Sequence, residues 1–270
     1  RAVSKVEKRS YRVLETDQGV GVVTDGLSDQ GTALSALREA FPTVPICSEW
    51  ACSVGPSVTD DNSPRFPFAI DANERLLDAL DKLTQSSNGY LQWFLVHNRV
   101  VLVPNLTQAK DATYVMERHF RVAIQAKTLV EALRQLEVAY NAEYHDVPLS
   151  CRPYSPRLML KGRPDASGSA QEFVLQMEGS LREVVLTVLD QMEDPALCYG
   201  LSEIGDESGR RFYALRVHKD DAPELADFKD GEEAEQFETL VSAATERLEE
   251  YFAQAEEKKA SSAAAKDAEE

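Results

Sequence analysis

Thiols, imidazoles and carboxylates are the side chains that do most protein chemistry, and this chain holds few of the first two. Its four cysteines are Cys47, Cys52, Cys151 and Cys198; its four histidines are His97, His119, His145 and His218. The histidines are isolated, with no pair four residues apart to share one helix face, and the cysteines form no C-x-x-C pair, so the spacing predicts no metal centre. A Cys–His nucleophile would need the two side chains to meet in space, which spacing alone does not dictate. Asp60-Asp61 and Asp220-Asp221 are adjacent carboxylates, read as solvated charge. Gly19-Val-Gly21 lacks the third glycine and the following helix of a phosphate-binding loop. The expectation is a non-enzymatic protein with no cofactor and no metal.

The cysteines fall two in each half. Two readings stand: one disulfide per half in an oxidising compartment, or four reduced and mostly buried thiols. On one straight strand Cys47 and Cys52 would lie about 16 Å apart, so they pair only where Ser48-Glu49-Trp50-Ala51 turns the chain back.

Charge is placed unevenly over the 270 residues. The formal charge is -17, and the stretch from Asp220 to Glu270 holds 17 acidic residues against 5 basic ones. The body is therefore nearly balanced and the last segment is a polyanion, which argues against nucleic acid as a partner. No run of 18 apolar residues offers a transmembrane segment. The chain begins at Arg1 without a methionine or an apolar stretch, as expected where a targeting segment has been removed or the chain trimmed.

The elements that must position these residues show one pattern twice. Tyr11–Leu14 and Val20–Val23 flank Asp17-Gln-Gly19 as a hairpin, assigned to residues 1–26 and packing on the first domain. In that domain, 27–109, a helix capped by Ser28 or Asp29 carries Leu34, Leu37 and Phe41, and Val44–Trp50 reads as a strand. Phe66–Ile70 alternates as a strand, and a helix from Asp71 carries Leu76, Leu77, Leu80 and Leu83. Tyr90–Val96 and Val100–Val103 form a hairpin around His97-Asn98. In the second domain, 110–219, Phe120–Ile124 is a strand, Thr128–Tyr140 a helix with Leu129, Ala132, Leu133 and Leu136 inward, and Ala142–Val147 a strand. After a longer connection through Pro153, Pro156, Pro164 and Gly168 come the strand Glu172–Met177 and a helix opened by Gly179-Ser180. Leu197–Leu201 and Arg211–Val217 close it as a hairpin. The fold class is α+β: two tandem βαββαββ domains related by internal duplication.

This order resembles the secretin and TonB short N-terminal domain. Leu129-Val-Glu-Ala-Leu-Arg-Gln-Leu136, following Phe120-Arg-Val-Ala-Ile124, is similar to that family's first helix. Leu76-Leu-Asp-Ala-Leu-Asp-Lys-Leu83, with Leu91-Gln-Trp93 and Val100–Val103 behind it, is similar to its second helix and closing hairpin. The two copies cover about 190 of the 270 residues. No barrel, plug or ring sequence follows them. The resemblance implies the fold, a bacterial envelope or periplasmic setting, and a docking role toward protein partners without catalytic residues.

Residues 220–270 read as an acidic helix followed by a disordered tail after Ala260. Phe237, Val241, Ala244, Leu248, Tyr251 and Ala255 recur at alternating four and three spacing, with Leu240 and Phe252 alongside. Such a stripe docks on the protein's own body or meets a partner, including a second copy. Phe237, Leu240, Val241, Leu248, Tyr251 and Phe252 are the candidate partner contacts, with Tyr251 and Phe252 expected to be exposed. Strand edges, with Trp50, Tyr90, Trp93 and Phe94 nearby, are a second candidate surface. An intracellular adaptor with reduced thiols, whose acidic helix binds a basic partner, is the alternative reading.

Overall fold

A computed structural model describes residues 11–16, 19–50, 65–103, 113–154, 163–164, 170–205, 210–219 and 232–267. The chain divides into two compact units, Arg1–Ala109 and Lys110–Glu270. It is a mixed α+β protein in which helices lie on small sheets. Among the described residues no helix is long and apolar enough to cross a membrane.

In the first unit, β1 (Tyr11–Thr16) and β2 (Gly19–Ser28) form the expected hairpin, and β2 also pairs antiparallel with β4 (Phe66–Ile70). Helix α1 (Gln30–Ala40) follows β2. The Asp29 carboxylate caps it by accepting from the Thr32 N–H at 2.7 Å. β3 (Ile46–Glu49) pairs parallel with β6 (Arg99–Val103), which pairs antiparallel with β5 (Gln92–Val96). His97 and Asn98, both at positive φ, make the tight turn between β5 and β6. Helix α2 is Leu76–Ser86 and does not begin at Asp71. The Asp71 N–H donates to Glu74 Oε2 at 2.8 Å, holding the residues before Leu76 in a turn. Ala79, Leu80 and Leu83 are buried, whereas Leu77, expected inward, is 49% exposed. Trp50, Tyr90 and Trp93 are partly buried against the core of this unit, so they serve packing.

The second unit connects its elements in the same order. β7 (His119–Ala126) pairs antiparallel with β11 (Phe173–Ser180). β8 (Leu149–Pro153) pairs parallel with β13 (Arg211–Lys219), which pairs antiparallel with β12 (Leu197–Gly205). A two-residue ladder, β9 (Arg163–Pro164) with β10 (Ala170–Gln171), lies in the long connection. Both helices that follow the leading strands carry full capping boxes: Thr128 with Glu131 on α3 (Leu129–Glu143), and Ser180 with Glu183 on α4 (Leu181–Gln191). Leu129, Ala132, Leu133 and Leu136 are buried on α3, and Leu181, Val184, Val185, Val188 and Leu189 on α4. Each large aliphatic side chain so buried stabilises by roughly 1.5–3 kcal/mol.

The strand expected at Ala142–Val147 is displaced. Helix α3 runs on to Glu143 because Tyr140 and Asn141 complete its buried face, and the strand begins only at Leu149. It then includes Pro153, which belongs to the connection on the sequence reading. An edge strand tolerates proline where the missing N–H would point outward. A shared detail marks where each second strand starts: Pro45 O accepts from the Val100 N–H, and Pro148 O accepts from the Tyr213 N–H.

Helix α5 (Glu232–Asp267) packs on β8 in the second unit. Ala244, Leu248, Phe252 and Ala255 are buried, and Val241 and Tyr251 half-buried. Contrary to the expectation of an exposed contact, Phe252 lies beneath the Arg210 guanidinium, 4.4 Å from the ring centre. The helix also continues past Ala260 to Asp267 instead of giving way to a disordered tail, as the Ala263-Ala264-Ala265 run favours.

Candidate functional site

Two arrangements in the second unit bring polar chemistry to defined places: the buried Glu137 that locks the end of the molecule together, and the outer edge of β11.

Glu137 sits within the apolar face of α3 and is 1% exposed. One carboxylate oxygen accepts from the Cys151 N–H at 2.7 Å, and the other accepts from Arg247 Nε on α5 at 2.8 Å. Four residues on, Asn141 bonds both the N–H and the C=O of Leu149, at 2.8 and 2.7 Å. Leu149, Cys151 and Pro153 share one edge of β8; side chains of α3 take both backbone groups of Leu149 and the Cys151 N–H, and Pro153 has no N–H. None of the three offers a free N–H to a further strand. Burial works against the charge on Arg247, but the bond and charge of Glu137 outweigh it and hold the guanidinium above its ordinary value. Burial, with Glu137 beside it, pushes the Cys151 thiol well up. Burial also raises Tyr251, whose hydroxyl lies 3.5 Å from the same carboxylate.

On β7 the backbone groups of alternate residues turn away from β11. Gln135 bonds the N–H and C=O of Gln125 at 2.9 and 2.8 Å, Glu143 accepts from the Arg121 N–H, and Tyr144 donates to His119 O. Their partners in register on β11 are Val174, Glu178 and Ser180, and Gln176, opposite Ala123, falls in the same alternation, so the backbone groups of these four also point outward from the ribbon. The Ser180 N–H is taken by Glu183 Oε2. Among the described residues nothing takes up the outward N–H and C=O groups of Val174, Gln176 and Glu178. Val174 is 72% exposed, and Leu175 and Met177, on the core-facing side, are only half-buried. A shallow open groove lined by Arg121, Ala123, Gln176, Met177 and Glu178 runs along this ribbon. Arg121 Nε bonds Glu178 at 2.7 Å across it.

The corresponding strand of the first unit, β4, is finished differently. Lys82 on α2 donates to Ala69 O at 2.9 Å, and Pro67, two residues earlier on that edge, has no N–H to offer. Proline and lysine are the usual devices that protect a sheet edge. Counting from Leu76 and Leu181, the position of Lys82 falls on Thr187 in α4, whose hydroxyl turns back to Glu183 O. Among the described residues the β11 edge therefore carries neither device.

The remaining candidates are placed as follows. Cys198 and His218 face each other across the β12–β13 ladder with Sγ 3.1 Å from Nδ1, a meeting that spacing could not reveal. The thiol is fully buried, so a substrate has no route to it, and the pair is a packed contact. Cys151 and Cys198 do not bridge. They lie two strands apart and three residues out of register, beyond the 7 Å or so that a disulfide spans. Cys47 is buried on β3; Cys52, Asp60-Asp61, Asp220-Asp221 and the Phe237 side chain lie outside the described residues. His97 and His119 are exposed, and His145 meets Lys258 of α5. Among the described residues no three His, Cys, Asp or Glu side chains gather to hold a metal ion. Arg118 bonds Asp146 twice, at 2.8 and 2.6 Å, and Tyr140 once. Burial, with Glu203 nearby, pushes the Tyr213 hydroxyl up to about 12, and burial raises Tyr140 too, so neither phenol ionises near neutral pH.

Leu240 is half-buried on α5 beside Val241, and Leu248 and Phe252 contact their own unit, so the apolar stripe is spent internally. Glu137 was missed as a key residue. Its signal was a lone carboxylate within the stripe Leu133, Leu136, Tyr140. The chain was compared with family models, with curated proteins and with solved structures, and it matches none of them.

Proposed function

We propose that this chain is a non-enzymatic protein–protein interaction or assembly module, built of two duplicated units of the secretin and TonB short N-terminal kind and working in a bacterial cell envelope. The observation that carries the reading is the β11 edge: three alternate outward residues whose backbone groups meet no partner among the described residues, next to half-buried Leu175 and Met177. An extended segment laid along that edge gains main-chain hydrogen bonds and covers both apolar side chains. The shared connectivity and the Pro45 and Pro148 contacts support the duplication. The envelope setting rests on the family resemblance.

Gln176→Pro tests this. It removes an outward N–H while leaving the β7 ladder intact. Amide hydrogen exchange at Val174, Gln176 and Glu178 is expected to slow in the presence of proteins retained on the immobilised wild-type chain, and the proline variant is expected to retain none of them. Unchanged exchange, or equal retention by both chains, removes strand addition as the binding mode.

The second reading, an intracellular adaptor with reduced thiols, gains from the separation of Cys151 and Cys198. It also gains from α5, whose outward side presents Glu246, Glu250, Glu256 and Glu257 to a basic partner. Thiol titration under denaturing, non-reducing conditions separates the two: four free thiols favour this reading, and two favour the envelope.

A further inference from the structure

We propose that the strand received by the β11 edge is β11 of a second copy, paired antiparallel about Gln176. This rests on the strand-addition reading and names its partner. In that register Gln176 opposes Gln176 of the other copy, and their backbones exchange two hydrogen bonds. Val174 opposes Glu178, and Glu178 opposes Val174, so the outward residues 174, 176 and 178 are all paired. On the core-facing side Leu175 meets Met177 of the other copy, twice by symmetry. Both are half-buried in one chain, and each covers the other on pairing. The pairing is therefore apolar against apolar, amide against amide, and a valine against a carboxylate already held by Arg121. Sliding the two-fold axis to Glu178 would instead set carboxylate against carboxylate, which cross-strand pairing penalises. Two β7–β11 ribbons joined this way make one four-stranded sheet. That heals a ribbon which alone has two strands, where β2 of the first unit already has a strand on each side.

A short strand pair buries less than a standard protein interface, so the dimer is weak and concentration-dependent. Each copy also carries a charge of -17, so added salt tightens the dimer by screening repulsion.

Sedimentation equilibrium of the full chain from about 5 to about 500 µM tests the proposal. A monomer–dimer equilibrium is expected, tighter at about 0.5 M than at about 0.05 M salt. Gln176→Pro is expected to weaken it at least about tenfold by removing the central pair of hydrogen bonds. Should that variant misfold by circular dichroism, Val174 provides the second arm, because its exposed side chain contributes little to the fold. Val174→Lys faces Glu178 of the other copy and Val174→Glu repels it. With two symmetric contacts the lysine variant dimerises about 2- to 30-fold more tightly than the glutamate variant. A chain that stays monomeric throughout overturns the proposal, as does a dimer indifferent to these substitutions. If the chain is monomeric while Gln176→Pro still abolishes retention of other proteins, strand addition stands and only the identity of the strand is wrong.

Discussion

The two units share their connectivity and differ in how they finish it. In the first, the position after the last leucine of the α1 motif is Arg38, whose Nη2 donates to Ile46 O on β3 at 2.8 Å. In the second, the same position on α3 is Glu137, which accepts from a β8 N–H. Both side chains tie a helix to the strand that follows it, with opposite charge. The carboxylate is more demanding, because it is buried and recruits Arg247 from α5. At the other sheet the contrast reverses: the first unit closes β4 with Pro67 and Lys82, and among the described residues nothing closes β11. Polar residues thus serve edge closure in the first unit and, in the second, the anchoring of a helix, with no closing device on β11 among the described residues.

The largest effect expected from breaking this contrast is removal of residues 232–270. Loss of the contacts of Ala244, Leu248, Phe252 and Ala255, and of the Arg247 partner, should destabilise the second unit by roughly 4–6 kcal/mol. Calorimetry of thermal unfolding, comparing the full and the shortened chain, checks it. Next, Glu137→Ala is expected to cost about 3–5 kcal/mol, since it leaves Arg247 half-buried without its partner carboxylate. Arg38→Ala, which removes a charge-assisted hydrogen bond to a carbonyl, should cost about 1.5–3 kcal/mol by urea denaturation. Equal losses at the two positions would mean that the second unit's helix adds nothing to its staple. Pro67→Thr restores an N–H to the β4 edge and sharpens the comparison differently: stability should change by under about 1 kcal/mol. Association measured by light scattering should rise, unless Lys82 alone suffices to close that edge.

The smallest expected effect concerns pH. Burial of Asp146 acts to raise its carboxyl, but the Arg118 guanidinium outweighs that and holds it below the usual carboxylate range. A carboxyl depressed in the folded state stabilises the fold above its unfolded value, near 3.9, and loses that contribution as pH falls through the lower folded value. Asp146→Asn should therefore cost about 0.5–1 kcal/mol at pH 7, modest because the pair is partly solvated. The gap between variant and parent should narrow below about pH 4.

The period-2 and period-3.6 patterns, with the turn residues, made most of this architecture legible: the leading strands, helices α1 to α4 and the His97-Asn98 turn follow from them. Boundaries failed where tertiary contacts decided. Helix α3 outran its expected end because Asn141 is useful only at the helix end facing Leu149, and α2 began late because Glu74 folds back on Asp71. The stripe on α5 was legible, but its destination was not, since an amphipathic face reads the same whether it covers its own body or another. The β11 edge was not legible: the sequence reading took Phe66–Ile70 and Glu172–Met177 simply as strands. Its significance appears only when β11 is seen to point Val174, Gln176 and Glu178 away from its ribbon.

The helix-to-strand staples are local in both units, linking residues 8 apart in the first and 14 apart in the second, but Glu137 of the second also needs Arg247, 110 residues on. At synthesis rates of about 5–20 residues per second, Arg247 is made roughly 5–22 s after Glu137. During that interval the ribosome holds a nascent second unit whose carboxylate has no guanidinium to meet. The first unit's Arg38 has its strand partner as soon as Ile46 emerges. The second stays incomplete until nearly the whole chain has been made, and chaperones would therefore find it the more persistent client of the two.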